Sequence, residues 1–192
     1  MSEREKMLAG EAYDASDADL VAGRARARRL TQRLAVIDPA EGGERETVLR
    51  DLLGEMGAGC WVEAPFFCDY GVNIHLGERV YVNMSCVFLD AADITIHDDV
   101  QIGPCVQLLT SDHPRDAAER TLGLESARPI TIGARAWLGG GTIVLPGVEI
   151  GHDTIIGAGS VVTRSVESGV VAVGNPCRVV APIEASSAPG AR

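Results

Sequence analysis

The chain has 192 residues, 46% of them hydrophobic, enough for one domain with a real buried core. Its formal charge of −10 argues against non-specific nucleic-acid binding, because phosphates would be repelled, and any anionic ligand would need local basic residues or backbone N–H groups. No apolar run reaches transmembrane length, no basic-then-apolar leader opens the chain, and the five dispersed Cys read as buried reduced thiols, so a cytoplasmic protein without membrane contact is expected.

Residues 1–58 read as a helical segment. Ser16 is the expected N-cap of a first long helix, paired with Asp19, and Ala27, Leu30, Leu34 and Ile37 form its apolar stripe. Arg24, Arg26, Arg28, Arg29 and Arg33 lie largely on other faces, where a solvated surface is the plainer reading and an anion site the sharper one. Pro39 and the Gly42-Gly43 pair stop this helix. A second is expected from Glu44 to Gly57, carrying Val48, Leu49, Leu52, Leu53 and Met56.

From Val62 apolar residues recur at every sixth position, imperfectly at first. Val62, Cys68 and Ile74 share one phase, Leu76, Val82, Phe88 and Ile94 a second, and Ile96, Ile102 and Leu108 a third. The pattern is most regular over residues 132–162, at Ile132, Leu138, Val144, Ile150, Ile156 and Val162, with small or β-branched residues four places after the marks at Ala136, Thr142, Val148, Thr154 and Ser160. Period six is neither a helix nor a hairpin; it marks a chain wound in short straight segments, one aliphatic per segment turned inward. Gly133, Gly139, Gly151 and Gly157, each directly after a mark, are expected to supply the backbone angles of the corners. Residues 109–129 lack the marks, yet Ile96 and Ile132 remain in phase, so this stretch is expected to be a loop ejected from the coil over residues 59–183. A long polar loop with a His is where function tends to sit. A Ser/Ala/Pro/Gly tail, 184–192, is expected to be disordered.

The segments EKMLAGEAYDASDADL, CDYGVNIHLG, VYVNMSCVFLD, TSDHP, PITIGARAWLGGGTIVLPGVEIG, GAGSVVT and GNPCRVV resemble, in order, motifs of the sugar O-acetyltransferases of the hexapeptide-repeat superfamily: the maltose, galactoside and nodulation-type enzymes. The similarity spans residues 3–183, and CDYG with the LD of VFLD resembles the maltose-type branch most. It implies a mainly β fold, a left-handed parallel β-helix behind an N-terminal helical segment, assembled as a homotrimer with sites between neighbours. It further implies transfer of an acetyl group from acetyl-CoA to a sugar hydroxyl, without a metal or a covalent enzyme intermediate.

Carried over residue by residue, the resemblance makes His113 the general base and Asn83 an acceptor contact that stabilises the transition state. A near-neutral imidazole suits the first role and an amide donor the second. Asp69 and Tyr81 are implied to line the acceptor site. The family's second acceptor-contacting Asp falls at Ala91 here, with Asp90 adjacent and Asp93 close, so Asp90 is the candidate. The N-terminal acidic contact aligns near Ala15, between Asp14 and Asp17, of which Asp17 is the candidate. Glu125 either orients His113 or is solvated. Trp137, Gly140, Ala158, Thr163, Arg164 and Arg178 match positions along the acetyl-CoA path, where guanidinium groups would meet its phosphates. A further basic contact is Ala181 here, for which Arg135 could substitute. Rival readings are a serine or xenobiotic O-acetyltransferase on the same fold, a zinc lyase, which needs three convergent His, and a non-catalytic trimeric scaffold.

Overall fold

The structure, a computed structural model, describes residues 1–184; the expected disordered tail lies outside the described residues apart from Glu184. The chain opens with α1 (Glu3–Leu8), whose first turn is closed by reciprocal bonds between Ser2 and Glu5. Strand β1 (Tyr13–Asp14) follows, then the long helix α2 (Ala18–Val36). The cap of α2 is Asp17, not Ser16: Asp17 Oδ1 accepts the N–H of Asp19 at 3.0 Å, whereas Ser16 is held back by its own bonds to Asp14. Three of the α2 arginines are spent within the fold, Arg24 on Tyr70 and Ala15, Arg26 on the Asp51 carbonyl and Arg33 on Glu44.

Helix α3 (Gly42–Leu52) ends several residues before the expected Gly57, because the coil begins earlier than residue 59. Its first strand, β2 (Glu55–Met56), is already paired, and the Gly57 N–H donates to Leu76 O at 2.9 Å. From there the chain winds through about six turns of a parallel-strand solenoid with three faces. The first face holds β2, β5 (Ile74–Leu76), β8 (Ile94–Ile96), β13 (Ile130–Ile132) and β16 (Glu149–Ile150). The second holds β3 (Trp61–Val62), β6 (Tyr81–Val82), β9 (Gln101–Ile102), β14 (Trp137–Leu138), β17 (Ile155–Ile156) and β19 (Val170–Val173), closed by the antiparallel β20 (Arg178–Pro182). The third holds β4 (Phe66–Cys68), β7 (Cys86–Leu89), β10 (Gln107–Leu109), β15 (Ile143–Val144) and β18 (Val161–Val162).

The period-six aliphatics form the interior: Ile132, Leu138, Val144, Ile150, Ile156 and Val162 are each at most 2% exposed, and Ala136, Thr142, Val148, Thr154 and Ser160 face inward beside them. The glycines after the marks have a different cause from the expected one. Their φ is not left-handed; that conformation falls two residues later, at Arg135, Gly141, Asp153 and Gly159. What excludes a side chain is the next turn of the coil: a Cβ at Gly139 would lie 2.5 Å from the Ala158 nitrogen, and Gly133 and Gly151 are faced as closely by His152 and Ser168. Outward residues differ by face. The register puts Glu55, His75, Thr95, Thr131 and Glu149 in line on the first face. It puts Trp61, Tyr81, Gln101, Trp137 and Ile155 on the second, and Phe67, Val87, Gln107, Ile143 and Val161 on the third. Of the five thiols, Cys86 and Cys177 are buried but Cys105 is exposed, placed outward by its left-handed corner backbone.

The unmarked stretch does leave the coil, but as an ordered arm. Strand β11 (Ser111–Asp112), the short α4 (Ala117–Arg120) and β12 (Leu124–Ala127) form an antiparallel excursion after Thr110, and β1 pairs along the free edge of β12. Met7, Tyr13, Leu20, Tyr70, Ala91, Ala92 and Ala127 form an apolar cluster that fastens the N-terminal segment and the arm to the coil.

Candidate active site

His113 follows β11 at the tip of the arm and is exposed, with its N–H bonded to Asp112 Oδ1 at 2.9 Å. It lines a cleft of about 510 Å³ together with Ala12, Pro114, Leu124, Glu125 and Ser126. Glu125 is not simply solvated: its Oε2 accepts the Tyr13 phenol at 2.8 Å. Among the described residues no hydrogen bond joins His113 to Glu125, although both face the cleft. Asp69, at the turn after β4, is partly buried, and burial pushes its carboxyl above the usual range; Arg24 opposes that shift and Glu125 adds to it. Asp69 and Glu125 thus project their charge into one region. Burial and then Glu125 push the Tyr13 phenol upward, which keeps it a donor.

Two acceptor candidates have other tasks. Asp90 is 0% exposed, and its carboxylate accepts the N–H of Asp69, Tyr70 and Asn73 at 3.0, 2.8 and 3.2 Å. It shapes the turn that presents Asp69 and does not reach a ligand. Nor does Asp93 replace the contact at Ala91, since it lies 3.4 Å from His75 on the first face, while Ala91 is packed in the apolar cluster. Asp17 caps α2, so its carboxylate is engaged by backbone N–H groups, and Ala15 accepts Arg24 Nη2 at 2.6 Å.

The remaining candidates fall along two edges of the third face. Tyr81 projects from the second face, and Asn83 sits at the corner that leads into β7. The Met84 N–H donates to Asn83 Oδ1 at 2.8 Å, which turns the Asn83 NH₂ outward with no acceptor among the described residues. Gly140 and Ala158 occupy the same corner on later turns, beside the half-exposed Trp137, and neither N–H has a partner among the described residues. His113 leaves from the other end of this face, after β10, and Thr163 and Arg164 follow β18 at that same end. Strands of this length hold the two edges on the order of 10 Å apart. His113 and Asn83 thus belong to opposite ends of the third face. Arg164 and Arg178 have no ion pair among the described residues, and Arg178 Nη1 donates to Cys177 O at 2.7 Å. Arg135, the candidate substitute for the missing basic residue at Ala181, is paired with Asp153 through Nε and Nη2, at 2.6 and 2.7 Å.

Sequence reasoning passed over Tyr13 and Tyr70, and it gave Arg24 neither of its partners, Tyr70 and Ala15. The first two lie inside the resembling segments, but their partners are distant in sequence and only the fold names them. No described helix is long and apolar enough to cross a membrane, and no described group of three His, Cys, Asp or Glu is placed to hold a metal ion.

Residues 6–57 match the maltose acetyltransferase hexapeptide capping motif, and residues 129–164 match the bacterial transferase hexapeptide family (six repeats). Nodulation protein L of Rhizobium meliloti (strain 1021) is 48% identical over 182 residues, which cover 93% of this chain and 97% of that protein. The crystal structure of a maltose O-acetyltransferase from Clostridium difficile 630 is 46% identical, with a TM-score of 0.94 over 96% of this chain and 99% of that one. A galactoside acetyltransferase in complex with coenzyme A is 36% identical, with a TM-score of 0.92 over 96% of this chain and 92% of that one.

Proposed function

The chain belongs to the hexapeptide-repeat acetyltransferases of the maltose and galactoside O-acetyltransferase type, and from that membership we propose that it moves the acetyl group of acetyl-CoA onto a sugar hydroxyl with His113 as general base. The acceptor in this reading is maltose- or glucose-like, acetylated at its 6-hydroxyl. His113 takes the hydroxyl proton as the sugar oxygen attacks the thioester carbonyl. The C–S bond breaks as the tetrahedral adduct collapses, and the imidazolium returns the proton to the departing thiolate, so that CoA leaves as its thiol. The outward NH₂ of Asn83 and an unpaired corner N–H such as that of Gly140 are the donors available to the oxyanion. Asp69 offers a carboxylate to acceptor hydroxyls, and Tyr81 and Trp137 offer apolar contact. Arg164 and Arg178 supply the positive charge that an anionic donor needs on this acidic protein.

The observation that carries the reading is the division of the site between two edges. Asn83, Gly140 and Ala158 lie on one edge of the third face, and His113, Thr163 and Arg164 on the other. The site is complete only where one copy's edge meets the other edge of a neighbour, a head-to-tail contact that closes into a ring. The outward rows favour this arrangement: the first face is polar, while the third and second rows are apolar apart from Gln107 and Gln101, with Phe67, Val87, Ile143 and Val161 on the third and Trp61, Tyr81, Trp137 and Ile155 on the second. The family resemblance makes that ring a homotrimer, which is the proposed assembly.

The test is CoA-thiol release from acetyl-CoA with glucose, maltose, a galactoside, a chitin oligomer and serine, with His113→Ala alongside. Release with sugars alone, lost in the variant, supports the reading. Turnover of serine alone would keep the base and overturn the acceptor.

A further inference from the structure

We propose that Tyr13, in the N-terminal segment, is a positioning residue for the reaction, its phenol fixing the Glu125 carboxylate and with it the arm that carries His113. The inference rests on the reading of His113 as the base.

The arm has no core of its own. Helix α4 contributes no buried residue, and between β11 and β12 the chain runs almost wholly exposed. What holds the arm is its other side. Tyr13 pairs with Glu125 and Asp14 with Leu124, and β12 in turn pairs with β11, Ser111 against Ala127 and Asp112 against Ser126. His113 is the next residue. The imidazole therefore hangs from a three-strand ribbon whose outermost strand is donated by the start of the chain. Gly10 strengthens the junction: it lies so close to the arm that a Cβ there would fall 3.1 Å from the Ala127 carbonyl.

Within the ribbon the Tyr13 side chain is singular. Only 1% of it is exposed, its ring packs in the apolar cluster, and its Oη finds the one carboxylate that lines the His113 cleft from β12, at 2.8 Å. A buried phenol needs a partner. By taking Oε2 it fixes the carboxylate plane and leaves Oε1 for the cleft, where it can align the imidazole. Without that donor Glu125 is free to swing into water, and the base loses its alignment with the acceptor hydroxyl.

Tyr13→Phe keeps the ring and removes the donor. With whichever of glucose, maltose and a galactoside turns over fastest, kcat is expected to fall between about tenfold and a hundredfold, with KM for acetyl-CoA changed by less than about twofold. The acidic limb of kcat/KM should move to higher pH, because a carboxylate relieved of its donor holds an imidazolium more strongly. Glu125→Gln should lose a similar factor, and the double variant should lose no more than the worse single one. Wild-type kcat in Tyr13→Phe, or losses that multiply in the double variant, overturn the proposal. If Tyr13→Phe fails to fold, Glu125→Gln decides alone, and wild-type kcat in that variant overturns the proposal equally. His113→Ala runs beside them. Activity surviving in that variant sinks the reading of the base, whereas an inactive His113→Ala with a fully active Tyr13→Phe sinks only the role of Tyr13.

Discussion

The Asp90 carboxylate accepts the Tyr70 N–H at 2.8 Å from a position with no exposed surface. The same group takes the N–H of Asp69 and Asn73, so the turn that carries Asp69 hangs from one side chain. Burial pushes this carboxyl up to about 7, with the backbone donors pulling the other way. Since an unfolded Asp titrates near about 3.9, the folded protein binds this proton more tightly than the unfolded chain. The stability that follows is fully present below the unfolded value and is lost as pH rises through about 7. Asp90→Asn puts a donor where a backbone N–H expects an acceptor, and is expected to cost about 2 kcal/mol in urea unfolding. The gap between wild type and variant should narrow from about pH 5 to about pH 8. A gap that stays constant would show that Asp90 is ionised throughout.

Gly139→Ala is expected to destabilise by about 2 kcal/mol or more, because the new Cβ would meet a backbone nitrogen that only a shift of the next turn can move. Gly159, where a Cβ would meet nothing within 4 Å but φ is left-handed, should lose less on conversion to Asn, a residue that tolerates that conformation. Thermal unfolding of the two variants separates close approach from backbone angle.

If each site draws His113 from one copy and Asn83 from the next, two inactive variants should repair each other. His113→Ala and Asn83→Ala, unfolded together and refolded as mixed rings of three, are expected to regain about a quarter of wild-type turnover, since random assortment leaves one intact site in each mixed ring. Failure to regain activity, with mixed rings shown by mass, would place both residues in a site within one copy.

Arg178→Gln is expected to raise KM for acetyl-CoA by about tenfold at low salt, the worth of one charge-assisted contact to a phosphate, with kcat held. Arg135→Gln should leave KM unchanged, because its guanidinium is occupied by Asp153. Steady-state rates at two salt concentrations distinguish the two arginines, the first effect shrinking as salt rises.

The winding of the coil is legible in the sequence because each interior mark is set by its own turn: Ile132, Leu138 and Val144 need only point inward. The purpose of Gly139 is not legible in the same way, since what excludes its side chain is Ala158, a full turn later. The cap of α2 falls one residue away from the expected position because Asp14 competes for Ser16. The order within the arm is hidden for a stronger reason. Leu124 and Glu125 show no strand pattern of their own and become a strand only when Tyr13 and Asp14 lie beside them. Asp90 reads as a ligand contact because sequence shows a carboxylate but not its burial. His113, Asn83 and Asp69 come from motif resemblance, and the fold adds which edge each one occupies.

The ribbon that carries His113 joins residues 112 positions apart, whereas neighbouring coil strands pair over 16 to 20 positions, as Trp137 does with Ile155, and over 36 where the arm intervenes, as Gln107 does with Ile143. Each turn of the coil can settle on the one made just before it, but β1 must wait for β12. Loop closure of that length places the arm among the last contacts to form and, with so few buried side chains, among the first to open. Amide exchange at Glu125 and Ser126 would then run ahead of exchange at Ile130 and Ile132. The base would come into register only after the rest of the molecule has finished folding.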